Sequence, residues 1–228
     1  MADIKCLVLD LDNTTLLDEK TGRGSEEIKD AAWYPVFPEY SRGELDSAMR
    51  EAKSKLSLAT GQADRQDVVR EICRYFHVAE DKIGGEVVRR CDAFNQVVQK
   101  GIAKIEVSEQ TRGVLDWFSQ KVPIYVNTAT PTEPARESLD ALGLTRFVKG
   151  IYGRPGTKLG NLQKIIEVEG VDPKKVLYID DQPTGWAVAQ QVGCRFVGIR
   201  TERNKAWHDT SQPFPIIRSL SELSSLVS

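Results

Sequence analysis

Polar and apolar positions alternate along this chain in two styles. Short, mostly apolar runs ending abruptly in polar or Gly-rich turns read as buried strands. They are Ile4-Lys5-Cys6-Leu7-Val8-Leu9 before Asp10, Pro123-Ile124-Tyr125-Val126 before Asn127-Thr128, and Phe147-Val148 through Ile151-Tyr152 before Gly153-Arg154. Val176-Leu177-Tyr178-Ile179 before Asp180-Asp181 and Phe196-Val197-Gly198-Ile199 before Arg200 complete the set. Helical patterns lie between the later runs, which predicts an α/β fold with a Rossmann-like parallel sheet. Two capping boxes predict helix starts: Thr130-Pro131-Thr132-Glu133, which would put a helix N-terminus beside Thr128, and Ser219-Leu220-Ser221-Glu222.

The segment between the first strand and the second is different. Helical stripes occupy Glu44 to Leu58, then Val68, Val69, Ile72 and Phe76, then Val87, Cys91, Phe94 and Val98, with turn signals at Thr60-Gly61 and Gly84-Gly85. This predicts a small all-helical domain at 17–104, inserted into a core made of 1–16 and 105–228. The polar stretch from Thr201 to Pro215 reads as a loop, with His208 on its surface.

Composition adds only exclusions. With 40% hydrophobic and 28% charged residues and a formal net charge of -2, the chain is ordinary globular material. No basic face suggests a nucleic-acid partner, and no apolar run suggests a membrane span or leader, so a cytoplasmic protein is expected, as a monomer or homodimer. The four cysteines are far apart in apolar patterns and read as packed thiols.

The chemistry gathers where the strands end. Ligands of open α/β sheets bind at the carboxyl ends of the strands, and Asp10-Leu11-Asp12-Asn13-Thr14-Thr15 follows the first strand directly. An Asp-x-Asp there can hold a divalent cation and present a carboxylate nucleophile. Asp180-Asp181 occupy the same edge. Four carboxylates within a few ångströms would repel by about 4 kcal/mol per close pair at an effective dielectric near 20, so the cluster calls for a hard divalent cation with oxygen ligands.

The order of these motifs, Asp10 to Thr15, then Thr128, then Lys158 in Gly156-Thr157-Lys158, then Asp180-Asp181, resembles the haloacid dehalogenase superfamily, and the helical insertion matches the position of the cap in one of its subgroups. Asp180-Asp181 is similar to a known variant of the superfamily's last motif, since Gly185 stands where a second acid commonly does. The resemblance implies Asp10 as nucleophile, Asp12 as acid and base, Thr128 and Lys158 as phosphoryl-binding groups, and Mg²⁺ on Asp10, the Asp12 carbonyl and Asp181 with or without Asp180. Alignment on Gly193 favours Asp181. It also brings Thr128, Ala129 and Lys158 to the substrate, a small phosphorylated metabolite; Arg154, just after the third core strand and close in sequence to Lys158, is a further substrate-binding candidate. An acid at Asp12 implies phosphate-ester hydrolysis, because relatives that cleave carbon–halogen or carbon–phosphorus bonds have no alkoxide to protonate there.

Phosphosugar mutation by the same aspartyl-phosphate chemistry is the alternative reading, and a non-catalytic acidic-pocket switch is a minor one. Asn13 replaces the usual Gly after Asp12, and is expected either to stiffen the turn or to accept a left-handed backbone, which Asn tolerates. Arg23, Trp33, Tyr34 and Arg65 are weaker candidates for facing the site from the insertion.

Overall fold

A computed structural model describes residues 3–60, 64–204, 207 and 211–227. Gly61 and His208, each singled out above, lie outside the described residues. The chain forms two compact units, one of residues 1–27 with 101–228 and one of residues 28–100.

The first unit is built on six parallel strands in the order β5-β4-β1-β6-β7-β8, the α/β sheet that the strand pattern predicts. They are β1 (Cys6–Leu9), β4 (Ile124–Pro131), β5 (Gly150–Arg154), β6 (Val176–Asp180), β7 (Arg195–Ile199) and β8 (Ile216–Ile217). β1 lies between β4 and β6, pairing Leu9 with Val126 and with Ile179, so Asp10, Asn127 and Asp180 emerge together at the carboxyl edge. All four β1 residues are fully buried, as a central parallel strand with both faces covered requires. Cys6, Val8, Tyr125, Val176, Tyr178 and Phe196 form part of one core with Leu162 and Ile165. Trp207, which the polar loop 201–215 concealed, is 3% exposed and packs on Phe196 and Phe214. β8 and the hairpin of β2 (Leu17–Asp18) with β3 (Arg23–Gly24) are two residues per strand, too short for a periodic signal. This hairpin, assigned above to the insertion, packs within the sheet unit.

Helix α5 (Glu109–Ser119) opens on Ser108, whose side chain accepts from the Thr111 amide. Helices α7 (Lys158–Glu169) and α8 (Pro183–Val192) end at Gly170 and Gly193, both in the left-handed conformation. The expected capping box at Thr130 does not form. β4 runs on through Pro131, and α6 (Thr132–Ala141) begins without a side-chain cap, because Thr130 and Thr132 are otherwise engaged: Thr130 donates to Asp12, and Thr132 Oγ1 accepts from the Gly153 amide. Ser219 likewise caps no helix. Glu222 accepts from the Arg218 amide, and a 3-10 turn at Leu220–Glu222 precedes the short helix α9 (Leu223–Val227).

The second unit is helical: most of α1 (Ser25–Val36), α2 (Arg42–Thr60), α3 (Arg65–Tyr75) and most of α4 (Glu80–Ile102). Gly84-Gly85 proves to be the second turn of α4 and not a break, since the apolar stripe through Ile83, Val87, Phe94 and Val98 is buried and outweighs the poor helix propensity of glycine. Trp33 packs on Phe94 with ring centroids 4.7 Å apart, Tyr34 donates to Asp46 at 3.0 Å, and Arg65 bonds Asn95 and lies over the Phe94 ring. Each therefore has a structural partner inside this unit. The four cysteines are free thiols; burial pushes Cys6 and Cys194 up to about 12. No helix among the described residues is long and apolar enough to cross a membrane.

Arg90 ties the helical unit together. Its side chain, 7% exposed, donates to the Val36 carbonyl, to Glu39 and to Glu86, and lies over the Phe37 ring. The Arg90 hydrogen bond holds Glu39 below the usual carboxylate range. Arg90→Met should cost about 2 kcal/mol, chiefly by leaving the Val36 carbonyl without its donor. Urea unfolding of the whole chain checks this, and a change within about 0.5 kcal/mol, typical of an ordinary surface substitution, would contradict it.

Candidate active site

Asp10 follows the last residue of β1, and its amide donates to Ile179 O at 2.8 Å. Thr15 Oγ1 donates to the Asp10 carbonyl at 2.7 Å, closing the loop below the carboxylate. Asn13 adopts φ +54°, the left-handed conformation expected of it. Its side chain accepts from the Glu26 amide and donates to Glu27, and the Cβ of any residue replacing Gly24 would crowd both Asn13 and the Leu16 carbonyl. The acidic loop is thus locked to the β2–β3 hairpin and the first turn of α1.

Asp12 is held at both oxygens. Ser25 donates to Oδ1 at 2.6 Å and Thr130 to Oδ2 at 2.8 Å. Neither partner was identifiable from sequence, because they arrive from 13 and 118 residues away.

Lys158 is the first residue of α7, after the N-cap Thr157. Asn127 fixes the helix start by donating to the Lys158 carbonyl at 2.8 Å, and Asn161 reaches back to Tyr152 O. The Lys158 ammonium lies 2.7 Å from Asp10 Oδ1 and 2.6 Å from Asp180 Oδ2. Burial alone would favour the neutral amine, but the two carboxylates hold it charged and its pKa above that of ordinary lysine.

Asp180 and Asp181 differ in their partners. Asp180 is fully buried and saturated by donors: Lys158, the Tyr178 hydroxyl at 2.9 Å and the Gln182 amide at 2.8 Å. Asp181 accepts from the Gln182 side chain at 3.0 Å and lines the cavity described below. The absence of an acid at 185 has a steric cause. A Cβ on Gly185 would stand 2.6 Å from the Asp180 Cβ, so the Asp180 side chain fills the space a side chain at 185 would need.

Oxygens of Asp10, Asp180 and Asp181 lie within 4.8 Å of one another. Burial pushes the Asp10 carboxyl well above its ordinary value although Lys158 opposes this, and burial with the Asp180 charge pushes Asp181 up to about 7. One ammonium cannot balance so many buried carboxylates. The hard oxygen donors and their surplus of negative charge fit a divalent cation such as Mg²⁺.

A cavity of about 550 Å³ opens on this cluster within the sheet unit. Asp10, Asp12, Thr128, Ala129, Lys158 and Asp181 line it, so the structure brings these candidates together. Thr128 is buried, and its oxygen accepts from the Thr130 amide at 3.0 Å, leaving the hydroxyl proton available. Arg154 does not join them. Strand alternation presses Gly153 against the backbone of Thr130 and Thr132 and leaves Arg154 exposed. Glu26, Gln182, Thr184, Arg203 and Asn204 also line the cavity; among these, only Gln182 and Thr184 adjoin a motif visible in the sequence.

A family model described as haloacid dehalogenase-like hydrolase matches residues 4–193. The chain belongs to that family. No curated protein matches this haloacid dehalogenase-like hydrolase. Among solved structures, a Thermotoga maritima protein named as a beta-phosphoglucomutase is 15% identical over 97% of each chain, with a TM-score of 0.71. The HAD-hydrolase YfnB of Bacillus subtilis, described as bound to magnesium, is 15% identical over 98% of each chain (TM-score 0.69). A predicted phosphoglycolate phosphatase from Haemophilus somnus 129PT is 18% identical over 99% of each chain (TM-score 0.65). These likenesses are of fold.

Because a Cβ at position 185 would stand 2.2 Å from Asp180 Oδ2, the oxygen that meets Lys158, Gly185→Ala should push this carboxylate off Lys158. Activity should fall about tenfold or more, with the enzyme still folded by circular dichroism, as expected when a positioning contact is lost. Unchanged activity would show that the packing around Asp180 has slack.

Proposed function

We propose that this hydrolase is a Mg²⁺-dependent phosphomonoesterase that acts on a small phosphorylated metabolite through an aspartyl-phosphate. One observation carries the reading: Asp12, a second acid held by Ser25 and Thr130, lines the same cavity as Asp10, Thr128 and Lys158. A carbon–halogen bond has no use for such a group, whereas an ester oxygen leaving as an alkoxide needs a proton.

Asp10 attacks phosphorus in line, and the ester oxygen departs with a proton from Asp12. Asp12, now a carboxylate, removes a proton from water as that water attacks the phosphorylated Asp10; phosphate leaves and both acids return to their starting states. Thr128 donates its hydroxyl to a phosphoryl oxygen. Lys158 aligns the Asp10 carboxylate and offsets charge on the phosphoryl group, with Asp180 holding the ammonium in place. Asp10, the Asp12 carbonyl and Asp181 would hold Mg²⁺, Asp180 being occupied by its donors. When bound, the cation neutralises the carboxylates and the phosphoryl oxygens so that an anionic nucleophile can approach an anionic ester.

Phosphate release from a panel of small phosphorylated metabolites tests the reading, and net release separates hydrolysis from transfer between two positions of a sugar. Asp10→Asn should abolish release with the fold intact, and Asp12→Asn should slow it by about 10²- to 10⁴-fold. Near-normal activity in either variant would overturn the assignment. Chelation of divalent cations should stop release and readdition of Mg²⁺ restore it; undiminished release in chelator would remove the metal from the mechanism.

A further inference from the structure

A second cavity, of about 430 Å³, opens at the carboxyl edge of the sheet and shares no lining residue with the catalytic one. Its walls are the β2–β3 hairpin, through Leu17 and residues 19–22, and the segments that follow β7 and β8. The chemistry at Asp10 does not use it.

The last paired residues of β7 and β8 are Ile199 and Ile217, and Arg200 and Arg218 follow them directly. Two arginines therefore stand in adjacent register at the end of parallel strands, where open α/β sheets bind ligands. Their main chains are engaged: the Arg200 amide donates to Ile217 O at 2.8 Å and the Arg218 amide to Glu222 at 3.3 Å. Both residues line the cavity, and neither guanidinium group has an ion pair or a hydrogen bond with a described residue. Arg200 is half-buried, a position in which a charge gains from a counter-ion.

The other charges of the lining are Lys20, Glu19 and Glu202. Glu19 accepts from the Thr111 hydroxyl, and Glu202 is exposed, with its stem beside Gly22. Lys20 has its acid, Glu106, outside the cavity at 3.8 Å. The two acids of the lining lower its positive potential without occupying either arginine fork.

We propose that this cavity is a second anion site, in which Arg200 and Arg218 together bind the phosphoryl group of a small molecule. One planar fork satisfies the two oxygens of a carboxylate, whereas two forks on neighbouring strands match the three oxygens and double charge of a phosphoryl group. The remaining space admits the body of a small metabolite. The site stands on these residues alone and does not depend on the hydrolytic reading.

Titration calorimetry of the full chain, stripped of divalent cations on a chelating resin, tests this with inorganic phosphate and acetate as probes. Without a cation, the clustered carboxylates of the catalytic cavity repel both. One equivalent of phosphate should bind about tenfold or more tightly than acetate, and Arg200→Gln or Arg218→Gln should each weaken phosphate by about tenfold or more, the range of a charge-assisted hydrogen bond. Arg200→Lys, which keeps the charge but not the fork, should retain part of the affinity. Thr128→Val, on the catalytic cavity, should leave it unchanged. Absence of phosphate binding, acetate binding as tightly as phosphate, or phosphate affinity that survives in either glutamine variant would overturn the proposal.

Discussion

The Lys158 ammonium, lodged between Asp10 and Asp180, is the contact on which the rest of the catalytic edge depends. Two buried carboxylates meet it and a third, Asp181, has an oxygen within 4.8 Å of theirs; without a cation in their midst each close pair would repel by about 4 kcal/mol at an effective dielectric of 20. Much of the neighbouring architecture serves to keep that ammonium in place. Asn127 anchors the turn from which it projects, Thr157 caps its helix, and Tyr178 and the Gln182 amide hold Asp180 as its counter-ion. Even Gly185 belongs to this arrangement, since a side chain there would collide with Asp180.

That division of labour separates two adjacent aspartates. Asp180 is spent on structure and on Lys158. Asp181, with one side-chain donor, faces the cavity and carries the strained charge that a divalent cation would relieve. The first loop is divided similarly: Asp10 faces Lys158, whereas Asp12 is turned toward hydroxyls of Ser25 and Thr130. Two carboxylates two residues apart thus meet different partners, an ammonium for Asp10 and a pair of hydroxyls for Asp12.

The strands were legible because a buried parallel strand writes itself as a short apolar run, and the acids at their ends stood out as residues no buried edge would otherwise contain. Other features had no such signature. The hairpin Leu17–Gly24 and β8 are pairs of residues whose pairing partners define them. The box at Thr130-Pro131-Thr132-Glu133 misled because Thr130 bonds Asp12, a partner 118 residues distant, in preference to its own helix. Gly84-Gly85 misled in the opposite sense, since packing of the α4 stripe overrode local propensity.

The sequence by itself therefore determined the α/β class, the helical insertion and the order of the acids and the lysine along one sheet edge. These follow from local periodicity and from the rule that parallel strands present their carboxyl ends together. Only the tertiary structure decided which acid pairs with Lys158, which hydroxyls hold Asp12, and that Arg203 and Glu26, not Arg154, line the cavity. The reason is physical: the direction of a side chain at the end of a strand is set by neighbours brought from distant parts of the chain, and no local pattern encodes them.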